Sequence, residues 1–103
     1  MKIEKDIQVS KNHPSLAGHF PGHPIVPGVV LIDEIIGVIQ SARQELVLKK
    51  IRHIKFLKPL SAGDVCHMNI EIQSHDNVSF TCSTDKHVIA KGKLIFYDKG
   101  HVS

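Results

Sequence analysis

Apolar and polar positions change period twice along the chain. Residues 2–9 (KIEKDIQV) place Ile3, Ile7 and Val9 among charged and polar neighbours, the alternation of a short, half-buried strand. Residues 28–45 follow a helical period instead. At about 100° per residue, Leu31, Ile32, Ile35, Ile36, Val38, Ile39 and Ala42 cover a broad apolar arc, and Asp33, Gly37, Gln40, Ser41 and Gln44 take the opposite side. Asp33 lies near the middle of the polar arc and Glu34 toward its edge. Beyond Glu45 the pattern is strand again. Residues 46–57 lose their alternation near Lys49-Lys50, the signature of a bulge, and residues 59–64 (PLSAGD) read as a turn. Strands over 65–73, 78–85 and 87–97 follow, separated by His75-Asp76-Asn77 and Asp85-Lys86-His87. One helix followed by four antiparallel strands predicts an α+β fold, a curved sheet laid around a single helix. One face of that helix is left for a partner subunit.

Between the first strand and the helix lies a segment of different character. Residues 11–28 (KNHPSLAGHFPGHPIVPG) hold all but one of the five prolines and three of the seven glycines. Pro14, Pro21, Pro24 and Pro27 forbid regular pairing there and restrict the residue before each. A long, stiff loop in a small domain is a common place for function.

Length sets the remaining bounds. At 103 residues the chain is expected to form a single domain over 1–103 with one core, since a chain of this size buries only about 60–70% of its unfolded surface. Aromatic residues number five and include no Trp, which leaves little for stacking single-stranded nucleic acid. The start, Met1-Lys2-Ile3-Glu4-Lys5-Asp6, is charged where a signal peptide is apolar, and the run Val29–Ile32 is far too short to span a bilayer. Cys66 and Cys82, sixteen positions apart with no Cys-x-x-Cys, read as buried thiols of a reducing compartment, so a cytoplasmic, non-membrane protein is expected. Five of thirteen basic residues fall between 49 and 58: Lys49, Lys50, Arg52, Lys55 and Lys58. They are either a solvated strand face or a docking patch for an acidic partner.

Chemistry concentrates in residues 19–33. A histidine on a rigid loop, His19, suits a general base. Backbone N–H groups of Gly28 and Val29 open the helix, where partial positive charge suits a developing oxyanion, and Gly28 lets a carbonyl approach closely. Phe20 and Pro27 flank them as candidate substrate contacts, and Asp33 supplies a carboxyl group on the polar face. His13, His19 and His23 raise a metal site, but Pro21 and Gly22 break any helical His-x-x-x-His and no cysteine is near, so no metal and no cofactor is expected. His53, His67, His75, His87 and His101 read as exposed strand or turn residues without assigned roles, and nothing in the sequence near Cys66 or Cys82 activates a thiol.

The string Gly18–Pro27 (GHFPGHPIVP), with Gly28 next and an acid fourteen positions after His19, resembles the active-site signature of hotdog-fold 3-hydroxyacyl-acyl carrier protein dehydratases. Ile54-Lys55-Phe56-Leu57-Lys58-Pro59-Leu60 with Gly63-Asp64 is similar to that family's second strand and turn. The resemblance spans residues 13 to about 97, and small stand-alone enzymes of aryl-polyene-type pathways fit it most narrowly. It implies a hotdog fold, a homodimer or larger assembly with sites shared between chains, and an acyl carrier protein as substrate bearer. By position it makes His19 the base, Gly28 the polariser of the thioester carbonyl and Asp33 the acid. It also implies a reaction: removal of the proton beside the carbonyl, then protonation of the departing 3-hydroxyl. The loop is of the plain-dehydratase type, whereas an Asp at position 33 is typical of the branch that also isomerises the double bond; Glu34 next door is the alternative acid. Rival readings are a hotdog acyl-CoA hydratase or thioesterase, and a catalytically silent acyl-binding hotdog.

Overall fold

The computed structural model describes residues 1–10 and 24–100. Its elements are β1 (Lys2–Gln8), α1 (Gly28–Ala42), β2 (Leu46–Phe56), β3 (Val65–Ser74), β4 (Asn77–Ser83) and β5 (Val88–Asp98). The five strands form one antiparallel sheet in the order β1-β3-β4-β5-β2. Consecutive hairpins join β3, β4 and β5, as the two short polar turns between them demand. β1 and β2, which flank the helix in sequence, take the two edges.

Alternation puts one sheet face into the core. Cys66, Met68, Ile70 and Ile72 of β3, Val78, Phe80 and Cys82 of β4, and Leu94 and Phe96 of β5 are buried. Against them α1 lays Val30, Leu31, Ile32, Ile35, Val38 and Ile39. Asp33, Gly37 and Ser41 face outward as the helical period predicts, while Ile36 is half-buried and Ala42 is exposed. The apolar arc is therefore narrower at its C-terminal end than the sequence suggests. The helix also stops three residues sooner. Arg43 leaves helical geometry (φ −135°, ψ 83°) while its N–H still reaches the Ile39 carbonyl at 2.8 Å, and its guanidinium pairs with Glu45. This turn drops Leu46 straight into the core.

The break in alternation at Lys49 is a register shift between Leu48 and Lys50. A second shift, between Arg52 and Lys55, has no sequence warning. There His53 adopts φ 52°, and two residues, His53 and Ile54, oppose the single Gly92. A Cβ built on Gly92 falls 2.8 Å from Ile54 Cγ1, 3.0 Å from Ile54 Cα and 3.1 Å from Phe80 Cζ. The bulged strand lies so close to β5 that only a residue without a side chain fits beneath it.

Candidate active site

The segment entering α1 is stitched to the turn after β2. Val26 N–H donates to the Leu60 carbonyl (2.8 Å), Ala62 N–H to the Pro24 carbonyl (2.9 Å), and Ile25 bridges Ser61. Pro27 then caps the helix at φ −59°, ψ 145°, its carbonyl accepting from Val30 (3.0 Å) and Leu31 (3.2 Å). No side chain caps the end. The N–H groups of Gly28 and Val29 meet no acceptor among the described residues. They are two of the orphan donors of a helix start, held in place by a rigid entry.

Beside Gly28 opens an apolar cavity of about 360 Å³, lined by Val26, Leu31, Phe56, Leu60 and Ile89, with Lys58 as the one charged contributor among the described residues. Its far wall is fixed by backbone bonds, since Leu57 N–H (2.7 Å) and Lys58 N–H (3.3 Å) both donate to the Ile89 carbonyl. Phe56 is an exposed part of its wall. Its ring is 54% exposed and lies against Gly28, where a Cβ would sit 2.7 Å from Cζ. The arrangement presents two N–H donors, unpaired among the described residues, beside an apolar space, which suits a group with a polarisable carbonyl and a hydrocarbon chain.

The structure brings Gly28, Val29 and Pro27 together at this helix start, with the Val29 side chain 68% exposed. Asp33 stands one turn further on the exposed face and does not line the cavity; Glu34 beside it is half-buried. His19 and Phe20, like His13, His23 and His101, lie outside the described residues. Lys49, Lys50, Arg52, Lys55 and Lys58 are all exposed, but only Lys58 reaches the cavity. Among the described residues no group of three potential ligands could hold a metal ion. Sequence reasoning gave Phe56 and Ile89 no role. Phe56 carried a faint signal as an aromatic at a strand end; Ile89 carried none, because only the fold brings it to Leu57.

Two further clusters lie away from the cavity. Cys66 and Cys82 are free and fully buried, and the hydrogen bond to Cys66, followed by burial, pushes the Cys82 thiol up, which favours its protonated form. His67 is held between two carboxylates, with Nδ1 2.6 Å from Asp6 Oδ1 and Nε2 3.0 Å from Asp85 Oδ1. Both carboxylates, Asp6 first, hold its pKa above the ordinary imidazole value.

A family profile described as ApeI dehydratase matches residues 1–93. The chain belongs to the ApeI-like family. Among curated relatives of this ApeI-like chain, it is 36% identical over 74 residues to a 3-hydroxyacyl-[acyl-carrier-protein] dehydratase FabZ from Wolbachia sp. subsp. Drosophila simulans, covering 64% of this chain and 52% of that one. The FabZ of Ehrlichia chaffeensis is 33% identical over 93 residues, covering 84% and 64%. The chain thus spans about half to two thirds of the length of these relatives. In fold, it is similar to the dehydratase heterocomplex ApeI:P from Xenorhabdus doucetiae (TM-score 0.80, 23% identity, 92% of this chain and 86% of that one). An acyl-CoA hydrolase from Staphylococcus aureus is also similar (TM-score 0.71, 20% identity, 94% and 65%). The fold is the hotdog, a five-stranded antiparallel sheet with a single helix.

Proposed function

We propose that the chain dehydrates a 3-hydroxyacyl thioester borne on an acyl carrier protein to the trans-2-enoyl thioester, in fatty-acid or aryl-polyene-type biosynthesis. The observation that carries this reading is the pair of N–H donors at Gly28 and Val29, without an acceptor among the described residues, beside an apolar cavity. They supply an oxyanion site and room for an acyl chain in one place. In the proposed step the neutral imidazole of His19 removes the proton beside the thioester carbonyl. Gly28 N–H stabilises the charge that develops on the carbonyl oxygen, and the Asp33 carboxyl gives its proton to the departing hydroxyl. General acid–base groups of this kind contribute roughly 10²–10⁴-fold each. No metal or cofactor enters these steps.

For Asp33 to hold a proton near neutrality it needs a desolvated setting. Within one chain it is exposed, so the cover is assigned to a second chain, in a cytoplasmic homodimer whose two sites each join His19 of one protomer to Asp33 of the other. An exposed edge strand β2 bearing Ile51, with Leu57 just beyond it, supports an interface there.

The test mixes two inactive variants, His19→Ala and Asp33→Asn, unfolded and refolded together, and follows ultraviolet absorbance of the enoyl thioester. Random pairing makes about half of the dimers mixed, each with one intact site, so activity returns to about a quarter of wild type. A mixture that stays inactive while mixed dimers form places the pair in one chain. Near-wild-type turnover by His19→Ala alone refutes the mechanism.

A further inference from the structure

Residues 11–23, with His19 among them, connect β1 to the segment entering α1. The chain on either side of them is tied to one turn, residues 61–64, closed by Asp64 N–H donating to the Ser61 carbonyl (3.1 Å). Its third residue, Gly63, takes φ 93°, the left-handed geometry that a type II turn needs there and that glycine supplies without strain. On the entry side Gly63 N–H donates to the Val9 carbonyl (2.8 Å), and the Gln8 side-chain amide donates to the Gly63 carbonyl. On the exit side Ala62 N–H holds the Pro24 carbonyl, and the Leu60 carbonyl holds Val26 N–H. Val9, Val26, Leu60 and Ala62 are all buried, so both ties are anchored in the core. Because Ala62 and Gly63 are consecutive, the Val9 and Pro24 carbonyls stand within about 10 Å of each other.

We propose that turn 61–64 positions the base of the reaction, with Gln8 and Gly63 as its positioning residues; this rests on the dehydratase reading above. By pinning the chain before and after residues 11–23 to adjacent residues, the turn fixes where His19 stands. Two observations support this role. The Gln8 tie is no part of the β1–β3 ladder: Gln8 is exposed, its backbone is already in register with Val65, and among the described residues its side chain bonds only to the turn. A long polar side chain loses rotamer freedom when it is held on one carbonyl, and what this bond secures is the point where the chain leaves the sheet. The turn is also continuous with the cavity wall. Leu60 lines the cavity, and Val26, bonded to it, stands two residues before Gly28. The Gly28 and Val29 donors and both flanks of the His19 segment are thus referred to a single rigid unit. Removing a proton beside a carbonyl requires base and carbonyl in fixed relation, and a displacement of about 1 Å can cost ~100-fold in rate. Gln8 and Gly63 act through His19 and need not touch the substrate.

The experiment uses Gln8→Glu, which keeps the size of the side chain and removes its N–H donor. The control, Asn77→Asp, makes the same charge change and removes an amide donor from the β3–β4 hairpin, where Asn77 Nδ2 meets Gln73 Oε1 at 2.6 Å. Turnover is measured on a 3-hydroxyacyl N-acetylcysteamine thioester, and hydrogen exchange of the full chain is followed by peptide mass. Gln8→Glu is expected to lose about tenfold in kcat, with KM and the thermal midpoint unchanged. Peptides covering residues 11–23 should exchange faster in it, and those of β3, β4 and β5 at the wild-type rate. Asn77→Asp should keep wild-type kcat and wild-type exchange over residues 11–23. Gly63→Ala, strained at φ 93°, should repeat the kcat loss with a lower midpoint. An unchanged kcat in Gln8→Glu overturns the proposal, as does an equal loss in Asn77→Asp. A lowered midpoint in Gln8→Glu with faster exchange throughout the sheet makes the bond a general support of the fold and overturns it too. Faster exchange confined to residues 11–23, in a protein whose wild type turns over no 3-hydroxyacyl thioester, upholds the turn as the anchor of that segment and removes the dehydratase reading instead.

Discussion

Gly28→Ala probes the joint between the helix start and the Phe56 ring. The new Cβ would lie 2.7 Å from Cζ, 2.9 Å from Cε1 and 3.2 Å from Cε2 of that ring, against an ordinary carbon–carbon contact of about 3.5–4.0 Å. The ring must retreat by about 1 Å. Being half-exposed and met at its far end, it can do so by swinging outward, so the clash belongs at the low end of overpacking costs, about 1 kcal/mol. Phe56→Ala removes a ring about half as buried as those whose loss costs ~3–5 kcal/mol, which scales to about 2 kcal/mol. Once the ring is gone the Gly28→Ala clash disappears. The double variant should then cost about 2 kcal/mol rather than about 3, a coupling of about 1 kcal/mol. Any helix-propensity gain from alanine occurs in both backgrounds and cancels in the cycle. Urea unfolding of the four proteins measures the coupling, and turnover of a small thioester adds the functional reading. Alanine keeps the backbone N–H, so a rate loss in Gly28→Ala that Phe56→Ala relieves traces to the displaced ring. A coupling indistinguishable from zero would refute the packing described here.

Gly92→Ala meets backbone as well as side chain, since Ile54 Cα stands 3.0 Å from the new atom; a destabilisation of about 2–3 kcal/mol is expected, clearly above that of Gly28→Ala, and equal urea midpoints for the two would contradict it. The His67 clamp should make stability depend on pH in one direction. Its raised pKa means the contribution is complete below about pH 6.5, the ordinary imidazole value, and fades as pH rises through the folded-state value. The unfolding midpoint of wild type should therefore exceed that of His67→Gln by more at pH 6 than at pH 9; a gap that stays constant or widens with pH would exclude the clamp. Among the described residues nothing lies within 4 Å of a Cβ built on Gly37, so Gly37→Ala should raise monomer stability by up to about 1 kcal/mol; sedimentation of the same variant checks whether a partner helix uses that face, in which case dimerisation weakens.

What was legible in the sequence follows how local each determinant is. The α1 arc and the Lys49 irregularity announce themselves through period alone, because the residues that decide them are neighbours. The hairpin turns at His75-Asp76 and Asp85-Lys86-His87 are local too, although β4 ends at Ser83 and β5 runs on to Asp98, each edge set by pairing rather than composition. The second bulge was invisible, since it depends on Gly92 lying under Ile54 some forty residues away. The same holds for the His67 clamp, whose carboxylates come from β1 and the β4–β5 turn, and for Ile89, which joins the cavity through a backbone bond to Leu57. Within the candidate site, Gly28 and Val29 stand where motif and helix start placed them. Asp33 lies on the expected polar face, but the desolvation its proposed chemistry asks for is not a local property at all.

The sheet order sets a timetable for making this protein. Among the described residues β2 is the second strand to leave the ribosome, yet its only neighbour in the sheet is β5, the last of the five. Between Phe56 and Asp98 lie about forty residues, or roughly 2–8 s of synthesis at ~5–20 residues per second. Throughout that interval β2 carries Ile51 and Phe56 with no strand to pair, while the β3–β4 hairpin has already had its chance to form. β5 then closes two seams at once, one to β4 and one to β2, so a nascent chain halted before residue 88 lacks both. Folding is thereby concentrated in a single late event with long-range pairings, the regime in which two-state folding is slow. In that window an unpaired β2 is most exposed to a chaperone, or to the β2 of a neighbouring nascent chain.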